Sequence, residues 1–324
     1  MLNCACPQRP VVPSLPTRLT VTAPATSANL GPGFDCVGLA LELRNSVQLT
    51  TLRDTTNLEI DITGEGAGEL SRGPDNLVVV AMRHLYAKLG QMLPGLRLHL
   101  HNEVPLCSGL GSSAAAEISG LVAANALLGE PFSPRELLLV ALELENHPDN
   151  ISPALLGGLC TAIAQHDEAR GWVLDYVRLD PPAGLRAVLA TAQVRIETVA
   201  SRRRLPASYS RADAVHNSAR AALLIAALAA GDWAALATAL DDRFHQPYRL
   251  PHIPGAEATL AAARAAGAKG AVLSGSGPTL LAFCADDPAP VAEAMAAAQA
   301  AAGLASVVRV VDLSAAGATV AIDG

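Results

Sequence analysis

The chain has 324 residues, a length that suits one large domain or two of medium size. Apolar residues make up 51% of it and aromatic residues 3%, which is typical of a globular protein with a core of small side chains and excludes disordered, collagen-like and disulfide-scaffold classes. Acidic residues (30) outnumber basic ones (23), and no basic stretch is interleaved with aromatic residues, so nucleic acid is not an expected partner.

The cysteines and the apolar segments indicate a compartment. The six cysteines are scattered without a CxxC pair, which favours free thiols in a reducing environment. Residues 1–16 carry regularly spaced prolines, so we expect a disordered leader and no signal peptide. The longest apolar segment, residues 221–230, falls short of the roughly 20 residues that a membrane span needs. The sequence therefore predicts a cytoplasmic protein with no membrane partner.

In the first half of the chain, strand patterns alternate with helical patterns. Strands are predicted over residues 17–23, 46–52, 58–62 and 96–101, and helices over 76–89 and 111–128. A serine, a proline and a glutamate at residues 133–136 form a capping-box pattern that starts a third helix. This helix is expected to reach about residue 145, with Pro148 ending it, and two glycines at 157 and 158 then open another strand.

The second half shows the same two patterns in mixed order. Strands are predicted over residues 173–179, 185–192, 271–274, 280–284 and 306–311, and helices over 211–245 with a break near Gly231, 256–266 and 288–302. This order favours the α+β class over a doubly wound parallel sheet. We expect an N-terminal domain over residues 17–165 and a C-terminal domain over 166–324.

The most specific motif covers residues 105–115, with the sequence Pro-Leu-Cys-Ser-Gly-Leu-Gly-Ser-Ser-Ala-Ala. Its glycines let backbone N–H groups approach a ligand, and the helix that follows presents the unpaired N–H groups of its first turn. This combination is typical of a phosphate site, although a tight turn entering a helix has the same composition. Because no lysine lies nearby, a divalent cation is expected to offset the phosphate charge, with serine hydroxyls and a carboxylate as ligands.

Two other loops are rich in glycine and small polar residues. Residues 23–35 read Ala-Pro-Ala-Thr-Ser-Ala-Asn-Leu-Gly-Pro-Gly-Phe-Asp, and residues 274–279 read Ser-Gly-Ser-Gly-Pro-Thr between two short apolar strands. Each loop could simply turn the chain. Asn29 and Asp35 are polar groups that the first loop could present to a ligand, and the later loop could bring its backbone close to substrate or phosphate.

These three motifs, in this order, together resemble those of the GHMP small-molecule kinases. The amino-acid sequences of these motifs are similar to those of the homoserine kinases within this superfamily, and so is the sequence of residues 143–153 (Glu-Leu-Glu-Asn-His-Pro-Asp-Asn-Ile-Ser-Pro). The resemblance extends from about residue 17 to the last strand. It implies a two-domain α+β fold with a ribosomal-S5-like N-terminal half and a ferredoxin-like C-terminal half. It also implies ATP- and Mg²⁺-dependent phosphorylation of the side-chain hydroxyl of L-homoserine, in threonine biosynthesis, by a protein that could be a homodimer.

The resemblance implies a nucleotide site around residues 105–115. The residues that would wrap the ATP phosphates are Ser108, Gly109, Leu110, Gly111, Ser112 and Ser113. Ser113 would also hold Mg²⁺ together with Glu143, and an exchange of Glu143 for Glu145 stays open. Asn76 matches a residue that lines the adenine pocket, but a helix cap would look the same in the sequence.

An amino-acid substrate needs an anion for its ammonium group and a guanidinium fork for its carboxylate. The resemblance gives Asp35 the first role, with Asn29 beside it, and gives Arg202 and Arg249 the second. Two more arginines follow Arg202 directly, so a register shift by one residue is open, and a run of arginines is also typical of a solvated surface.

Asn150 matches the polar residue that faces the reacting hydroxyl, and His147 lies nearby in the sequence. Since an amide takes no proton at neutral pH, and phosphoryl transfer depends mainly on positioning and charge neutralisation, we assign no catalytic base. Asn150 and Glu143 are the predicted catalytic residues. Two alternatives stay open: a GHMP kinase acting on mevalonate, shikimate or a sugar, which would not need Asp35, and a nucleotide or amino-acid sensor without catalysis, which would not need Glu143.

Overall fold

The computed structural model describes residues 18–52, 56–196 and 198–323, which form two β-sheets covered by helices. The strands are β1 (Arg18–Ala28), β2 (Val37–Leu52), β3 (Leu58–Gly64), β4 (Gly95–Asn102), β5 (Leu159–Asp167), β6 (Gly171–Leu179), β7 (Arg186–Ala192), β8 (Gly270–Leu273), β9 (Leu280–Cys284), β10 (Ser306–Asp312) and β11 (Thr319–Asp323). The helices are α1 (Leu77–Lys88), α2 (Ser112–Leu127), α3 (Pro134–Leu142), α4 (Pro148–Leu156), α5 (Thr198–Arg202), α6 (Arg211–Ala230), α7 (Trp233–Ala239), α8 (Gln246–Arg249), α9 (Ala256–Ala265) and α10 (Ala289–Ala301). The predicted leader at residues 1–16 lies outside the described residues.

The first sheet has seven strands and is built around the long strand β2. Its order is β11-β1-β2-β4-β3, and β5 pairs with the start of β2 and with β6. The neighbours β3 and β4 are parallel and are connected through α1, whereas the other pairs of this sheet are antiparallel. Alternate apolar residues of β1 and β4, such as Leu19, Val21 and Leu98, are fully buried in a core that α1 and α2 share.

The second sheet has four antiparallel strands in the order β10-β7-β9-β8. Period-two alternation gives it two apolar faces. Val188 and Ala190 of β7 belong to a core cluster with residues of α9 and α10, whereas Ala187 and Leu189 belong to a cluster that also contains Leu39 of β2. The second cluster therefore joins the two sheets.

Most predicted elements are confirmed within a few residues of their predicted ends. The capping box of α3 is present, because the Ser133 N–H donates to the Glu136 carboxylate while the Ser133 hydroxyl accepts from the Glu136 N–H. The predicted end of this helix was wrong: α3 stops at Leu142, and Pro148 begins the next helix, α4, as its first residue. Proline is well suited to that position because the first-turn N–H would be unpaired anyway.

Residues 171–179 and 319–323 were assigned to the C-terminal half from the sequence, but β6 and β11 both belong to the first sheet. The predicted boundary at residues 165 and 166 falls within the β5–β6 hairpin, whose strands pair with each other. A division of the chain by sheet would assign β7, β8, β9 and β10 to one domain and the remaining strands to the other. Among the helices of the described ranges, none combines the length and apolar character needed to cross a membrane.

Candidate active site

The three glycine-rich motifs, far apart in the sequence, meet in space. The Thr26 N–H donates to the Leu110 carbonyl at 3.0 Å, and the Gly275 N–H donates to the Ala28 carbonyl at 3.1 Å. The Ser274 hydroxyl lies 2.7 Å from the Gly109 carbonyl oxygen. The loop at residues 105–111 is called the phosphate loop below, and residues 274–279 the third loop.

Two glycines allow this close contact. Gly109 has a φ of +81°, and a Cβ atom there would lie 2.3 Å from the Ser274 carbonyl oxygen. Gly111 has a φ of +68°, and a Cβ atom there would lie 2.0 Å from the Thr26 hydroxyl. Any side chain at either position would therefore push the phosphate loop away from its neighbours.

The phosphate loop leads directly into α2, with Gly111 as the residue that precedes its first turn. Ser112 is half-buried and Ser113 is exposed, so both hydroxyls lie at the accessible end of an otherwise buried helix. The buried Ser108 instead donates its hydroxyl to the Pro105 carbonyl at 2.7 Å and shapes the loop from within. The first turn of α2 thus offers backbone N–H groups and two hydroxyls to an anion.

Asn150 lies beside this anion site, in the first turn of α4. Its Oδ1 accepts a hydrogen bond of 2.7 Å from the Thr26 hydroxyl and lies 3.1 Å from the position a Cβ of Gly111 would take. Because Oδ1 faces Thr26, the Nδ2 group of the same amide is turned away from Thr26 and can donate to a ligand.

The two glutamates that the sequence left exchangeable have different surroundings. The Glu143 carboxylate lies 2.8 Å from His84 Nε2 and also contacts the Lys88 ammonium, both on α1. Glu145 Oε1 lies 3.8 Å from His147 Nδ1. Glu145 also repels the carboxylate of Glu117, which lies one turn after Ser113 on α2. The structure therefore places Glu145 on the side of α2 and His147, and Glu143 against α1.

Asp35 and Arg202 form a two-pronged ion pair. Arg202 Nη2 lies 2.6 Å from Asp35 Oδ1, and Nη1 lies 2.9 Å from Oδ2. Arg203 and Arg204 are exposed, so the first arginine of the run is the one that reaches Asp35.

Asn29 supports this pair from the side of the first loop. Its Oδ1 accepts from the Asp35 N–H at 2.9 Å, and its Nδ2 donates to the Gly275 carbonyl at 3.3 Å. Asn29 and Asp35 both have positive φ, which asparagine and aspartate tolerate better than most residues. The Asn29 amide thus holds the first loop together through Oδ1 and links it to the third loop through Nδ2, and its contact with a substrate stays a prediction.

Arg249 is buried on α8, where His245 holds it. Arg249 Nη1 lies 3.2 Å from His245 Nδ1 and donates to the Gly275 carbonyl at 3.1 Å, while His245 Nε2 donates to the Gly31 carbonyl at 2.9 Å. Burial lowers the pKa of His245 to about 4, which keeps the ring neutral with Nδ1 free to accept. Burial and repulsion by Arg202 lower the pKa of Arg249 to about 10, so its guanidinium stays charged at neutral pH.

The ring of Phe34 lies near both guanidinium groups, at 5.3 Å from the Arg202 Cζ and 5.5 Å from the Arg249 Cζ. The same ring stacks on His245 with 5.4 Å between centroids. These distances allow a cation–π contribution and fix the two arginines on the same aromatic residue.

Two buried carboxyl groups of this region were not assigned a role from the sequence. Burial, with repulsion by Asp35, raises the pKa of Asp149 to about 7. Burial, with repulsion by Glu145, raises the pKa of Glu117 to about 8. The signal for Glu117 was available, since a single carboxylate interrupts an otherwise small and apolar stretch of α2. His245 carried no comparable signal, because its partners Gly31 and Arg249 are not defined by spacing.

Asn76 adopts the helix-cap arrangement that the sequence left open. Its Oδ1 accepts from the Val78 N–H at 3.1 Å, and its Nδ2 donates to the Ser71 carbonyl at 2.8 Å. Asn76 is buried, and its amide begins α1. A contact between Asn76 and adenine stays a prediction.

The donors near α2 fit a magnesium ion that is bound together with a nucleotide. Mg²⁺ in such sites is held by one or two protein groups, with phosphate oxygens and waters completing the shell. The described ranges contain no group of three or more histidine, cysteine, aspartate or glutamate side chains arranged to hold a metal alone. The Ser113 hydroxyl and the Glu145 carboxylate, with the unpartnered buried Oε2 of Glu117 nearby, provide hard oxygen ligands of the required kind.

Comparison with known proteins defines the class of this chain. The model of the GHMP kinases N terminal domain matches residues 76–158, and the model of the GHMP kinases C terminal domain matches residues 224–302. The chain belongs to the GHMP kinase family, and the resemblance drawn from the three motifs is confirmed together with the two-domain α+β fold.

Within this family the chain is similar to homoserine kinases. It is 46% identical over 278 residues to the homoserine kinase of Moorella thermoacetica, covering 86% of this chain and 91% of that protein. It is 45% identical to the homoserine kinase of Microchaete diplosiphon, covering 94% and 98% of the two chains. The crystal structure of homoserine kinase from Cytophaga hutchinsonii superposes with a TM-score of 0.83 at 32% identity, covering 94% of this chain and 97% of that one.

A mevalonate kinase from L. major, crystallised with R-mevalonate, has a TM-score of 0.68 at 17% identity and covers 91% of this chain and 96% of that one. At this identity the similarity shows the fold alone.

Proposed function

We propose that the protein transfers the γ-phosphoryl group of ATP to the side-chain hydroxyl of L-homoserine, which gives O-phospho-L-homoserine and ADP. One observation carries this proposal: Gly275 contacts both the phosphate loop and the charged residues around Asp35. Its carbonyl accepts from Arg249 and Asn29, and a Cβ at Gly275 would lie 3.1 Å from the Gly109 carbonyl oxygen. Gly275 thus borders both a site suited to phosphate and a site whose charged residues suit an amino acid.

The phosphate loop supplies the anion-binding part of the reaction. Backbone N–H groups at the start of α2, together with Ser112 and Ser113, would hold the phosphates of ATP. We assign Mg²⁺ to Ser113 and Glu145 in preference to Glu143, because Glu143 is already engaged with His84 and Lys88. The metal, when bound, neutralises charge on the phosphate oxygens.

Asp35, Arg202 and Arg249 supply the amino-acid part. A carboxylate can accept hydrogen bonds from the ammonium group of homoserine, and the two guanidinium groups near the Phe34 ring can donate to its carboxylate. His147 directly precedes α4 and pairs with Glu145, so it lies between the two halves of the site.

Asn150 would orient the reacting hydroxyl. With its Oδ1 held by Thr26, its Nδ2 can donate to the hydroxyl oxygen or to a phosphate oxygen. The new O–P bond forms as the bond from the γ-phosphorus to the β–γ bridging oxygen breaks, and the hydroxyl proton leaves late, to a phosphate oxygen. Positioning and charge neutralisation carry this reaction, so an amide at residue 150 is compatible with turnover.

The test is ADP release by the purified protein with Mg²⁺-ATP and single acceptors. The panel contains L-homoserine, L-serine, L-threonine, mevalonate, shikimate and galactose. We expect release with homoserine at least about tenfold above release with mevalonate, shikimate or galactose, which lack the amino group, since one charged contact is worth about 1.5–3 kcal/mol. Turnover on mevalonate, shikimate or galactose alone would contradict the amino-acid assignment, and ATP binding without turnover on any acceptor would favour a sensor.

Arg202→Gln and Arg203→Gln make a matched pair for this test. Arg202 contacts Asp35, whereas its neighbour Arg203 is exposed. Homoserine turnover should fall with the first substitution and stay within about twofold with the second, because exposed charges contribute little. A homodimer and a cytoplasmic location are further proposals that rest on the family.

A further inference from the structure

The residues proposed to hold the two opposite charges of the substrate hold each other in this structure. Asp35 is the proposed partner of the ammonium group, and Arg202 is a proposed partner of the carboxylate. The Asp35 carboxylate accepts hydrogen bonds from both terminal nitrogens of Arg202. The side chains are 30% and 38% exposed, so water screens the pair only in part. Both terminal nitrogens of Arg202 and both oxygens of Asp35 are engaged in this geometry, so a substrate that contacts these atoms competes with the internal pair.

Breaking the pair without a replacement is unfavourable. If Asp35 alone loses its partner, its carboxylate is left close to the buried Asp149, with which it already interacts unfavourably. If Arg202 alone loses its partner, its guanidinium still repels the buried Arg249 and keeps only its attraction to Asp149 and Glu145. Removal of one partner from a partly buried pair leaves the other charge with weaker compensation, and the resulting cost increases with burial.

Further donors at this site lack partners. Arg202 Nε and Arg249 Nε are both buried, and neither has a hydrogen-bond partner among the residues that the structure describes. Arg249 is only 3% exposed, and its guanidinium lies 5.5 Å from the Phe34 ring that Arg202 also approaches. A buried N–H group without an acceptor is unfavourable, and a bound carboxylate is an acceptor that can satisfy such a group on a guanidinium.

We propose that the substrate binds by exchanging the Asp35–Arg202 ion pair for two new ones, so that the site selects ligands carrying an ammonium and a carboxylate group together. The inference rests on the proposed function and adds a selection rule to it. A ligand with both charges compensates each residue as the pair opens. A ligand with one charge leaves the other residue uncompensated, so the internal pair rejects it.

Exchange of the internal ion pair and independent binding of the two substrate charges predict different results in one measurement. If Asp35 only attracted the ammonium group, its removal would leave the binding of a carboxylate-only ligand unchanged. If Asp35 also occupies Arg202, its removal releases the guanidinium, and the carboxylate-only ligand binds better.

The experiment measures dissociation constants by isothermal titration for L-homoserine, 4-hydroxybutanoate and 3-aminopropan-1-ol. The last two are homoserine without its amino group and without its carboxylate. In Asp35→Asn, we expect homoserine to bind at least tenfold more weakly and 4-hydroxybutanoate at least tenfold more tightly than in the unmodified protein. In Arg202→Gln, 3-aminopropan-1-ol should gain instead. Arg203→Gln is the control and should bind all three ligands as the unmodified protein does.

The outcomes separate the two proposals. If the unmodified protein binds and phosphorylates homoserine but neither variant gains affinity for its one-charge ligand, the exchange is wrong and the proposed function stands. If the unmodified protein neither binds nor phosphorylates homoserine, the proposed function fails and the selection rule fails with it. Retained binding of an ATP analogue verifies that each variant is folded, and the second variant decides the question if one of them is not.

Discussion

The phosphate loop and the amino-acid pocket share Gly275, but they are made of different chemistry. The phosphate loop uses backbone groups and glycines whose positive φ and close contacts leave no room for a side chain. The pocket uses charged side chains from three separate elements. Asp35 and Arg202 hold each other, Arg249 donates to the Gly275 carbonyl, and both guanidinium groups lie near the Phe34 ring. Activity should therefore depend on atom volume in the first region and on charge in the second.

Glu145 lies where the two regions meet, and its substitution is expected to have the largest effect. Glu145→Gln should lower kcat/KM at least ~100-fold, about 2.7 kcal/mol, because it removes a proposed ligand charge of Mg²⁺. Steady-state kinetics at several Mg²⁺ concentrations measure this loss. Glu143→Gln is the matched control and should change kcat/KM less than about threefold, since that carboxylate pairs with Lys88 at the surface. The opposite ranking of the two variants would move the metal site to Glu143.

A methyl group added to the phosphate loop tests whether activity depends on close packing in that loop. Gly109→Ala should lower kcat/KM about 30-fold, about 2 kcal/mol, mainly through the KM for ATP, because its Cβ meets backbone atoms that cannot rotate away. Gly90→Ala has a similar positive φ of 65° but open space around the new atom, so it controls for backbone strain. Equal effects on ATP binding in both variants would show that close packing is not what the loop requires.

The buried Glu117 gives a prediction about stability. Its pKa is raised to about 8 from a usual 4.5, so between these values the folded protein binds more protons than the unfolded chain. Stability therefore falls as the pH rises through this window and is highest, for this group, below pH 4.5. Glu117→Gln should raise the free energy of unfolding by about 1.5 kcal/mol at pH 8 and change it little at pH 4.5.

Urea unfolding at the two pH values measures this difference. The exposed Glu168→Gln serves as the control and should leave the pH dependence as it is. If the free energy of unfolding depended on pH in Glu117→Gln as it does in the unmodified protein, the Glu117 carboxyl would be ionised in the folded protein at neutral pH.

His245 tests whether the charged pocket depends on its support. His245→Leu removes the acceptor of Arg249 Nη1 and the donor to Gly31, so Arg249 should lose its orientation. We expect the KM for homoserine to rise about tenfold, about 1.4 kcal/mol, with kcat and the KM for ATP within about threefold. His245→Gln, which can still accept and donate, should recover part of the loss, and the exposed His252→Leu should have no effect. A change in kcat with an unchanged KM for homoserine would rule out this positioning role.

The same difference explains what the sequence could and could not predict. The phosphate loop was recognisable because its glycines, serines and the following helix are local features. The contacts that bring the three motifs together are seen in the structure. The choice between Glu143 and Glu145 was not predictable, because it depends on α3 ending at Leu142 rather than continuing to residue 145. If α3 continued to residue 145, the helix geometry would point the side chains of Glu143 and Glu145 in directions different from those seen in the structure.

The internal contacts of the pocket were also beyond local patterns. The sequence marked Asn29 as a possible substrate ligand, but its amide links the first and third loops, which are 246 residues apart. It placed Asp35 and Arg202 on opposite ends of one substrate, but only the structure shows that they pair with each other. Such pairs depend on tertiary distances, which composition and spacing do not encode.

The most direct test of the division between the two regions measures the two ligands separately in one variant. Arg249→Gln removes a buried charge from the pocket and leaves the phosphate loop sequence intact. Titration with a non-hydrolysable ATP analogue and Mg²⁺ should give a dissociation constant within about twofold of the unmodified protein, whereas the dissociation constant for L-homoserine should rise more than tenfold, since a charged contact is worth about 1.5–3 kcal/mol. Equal weakening of both ligands, or unchanged homoserine binding, would contradict a separate, charge-built amino-acid pocket.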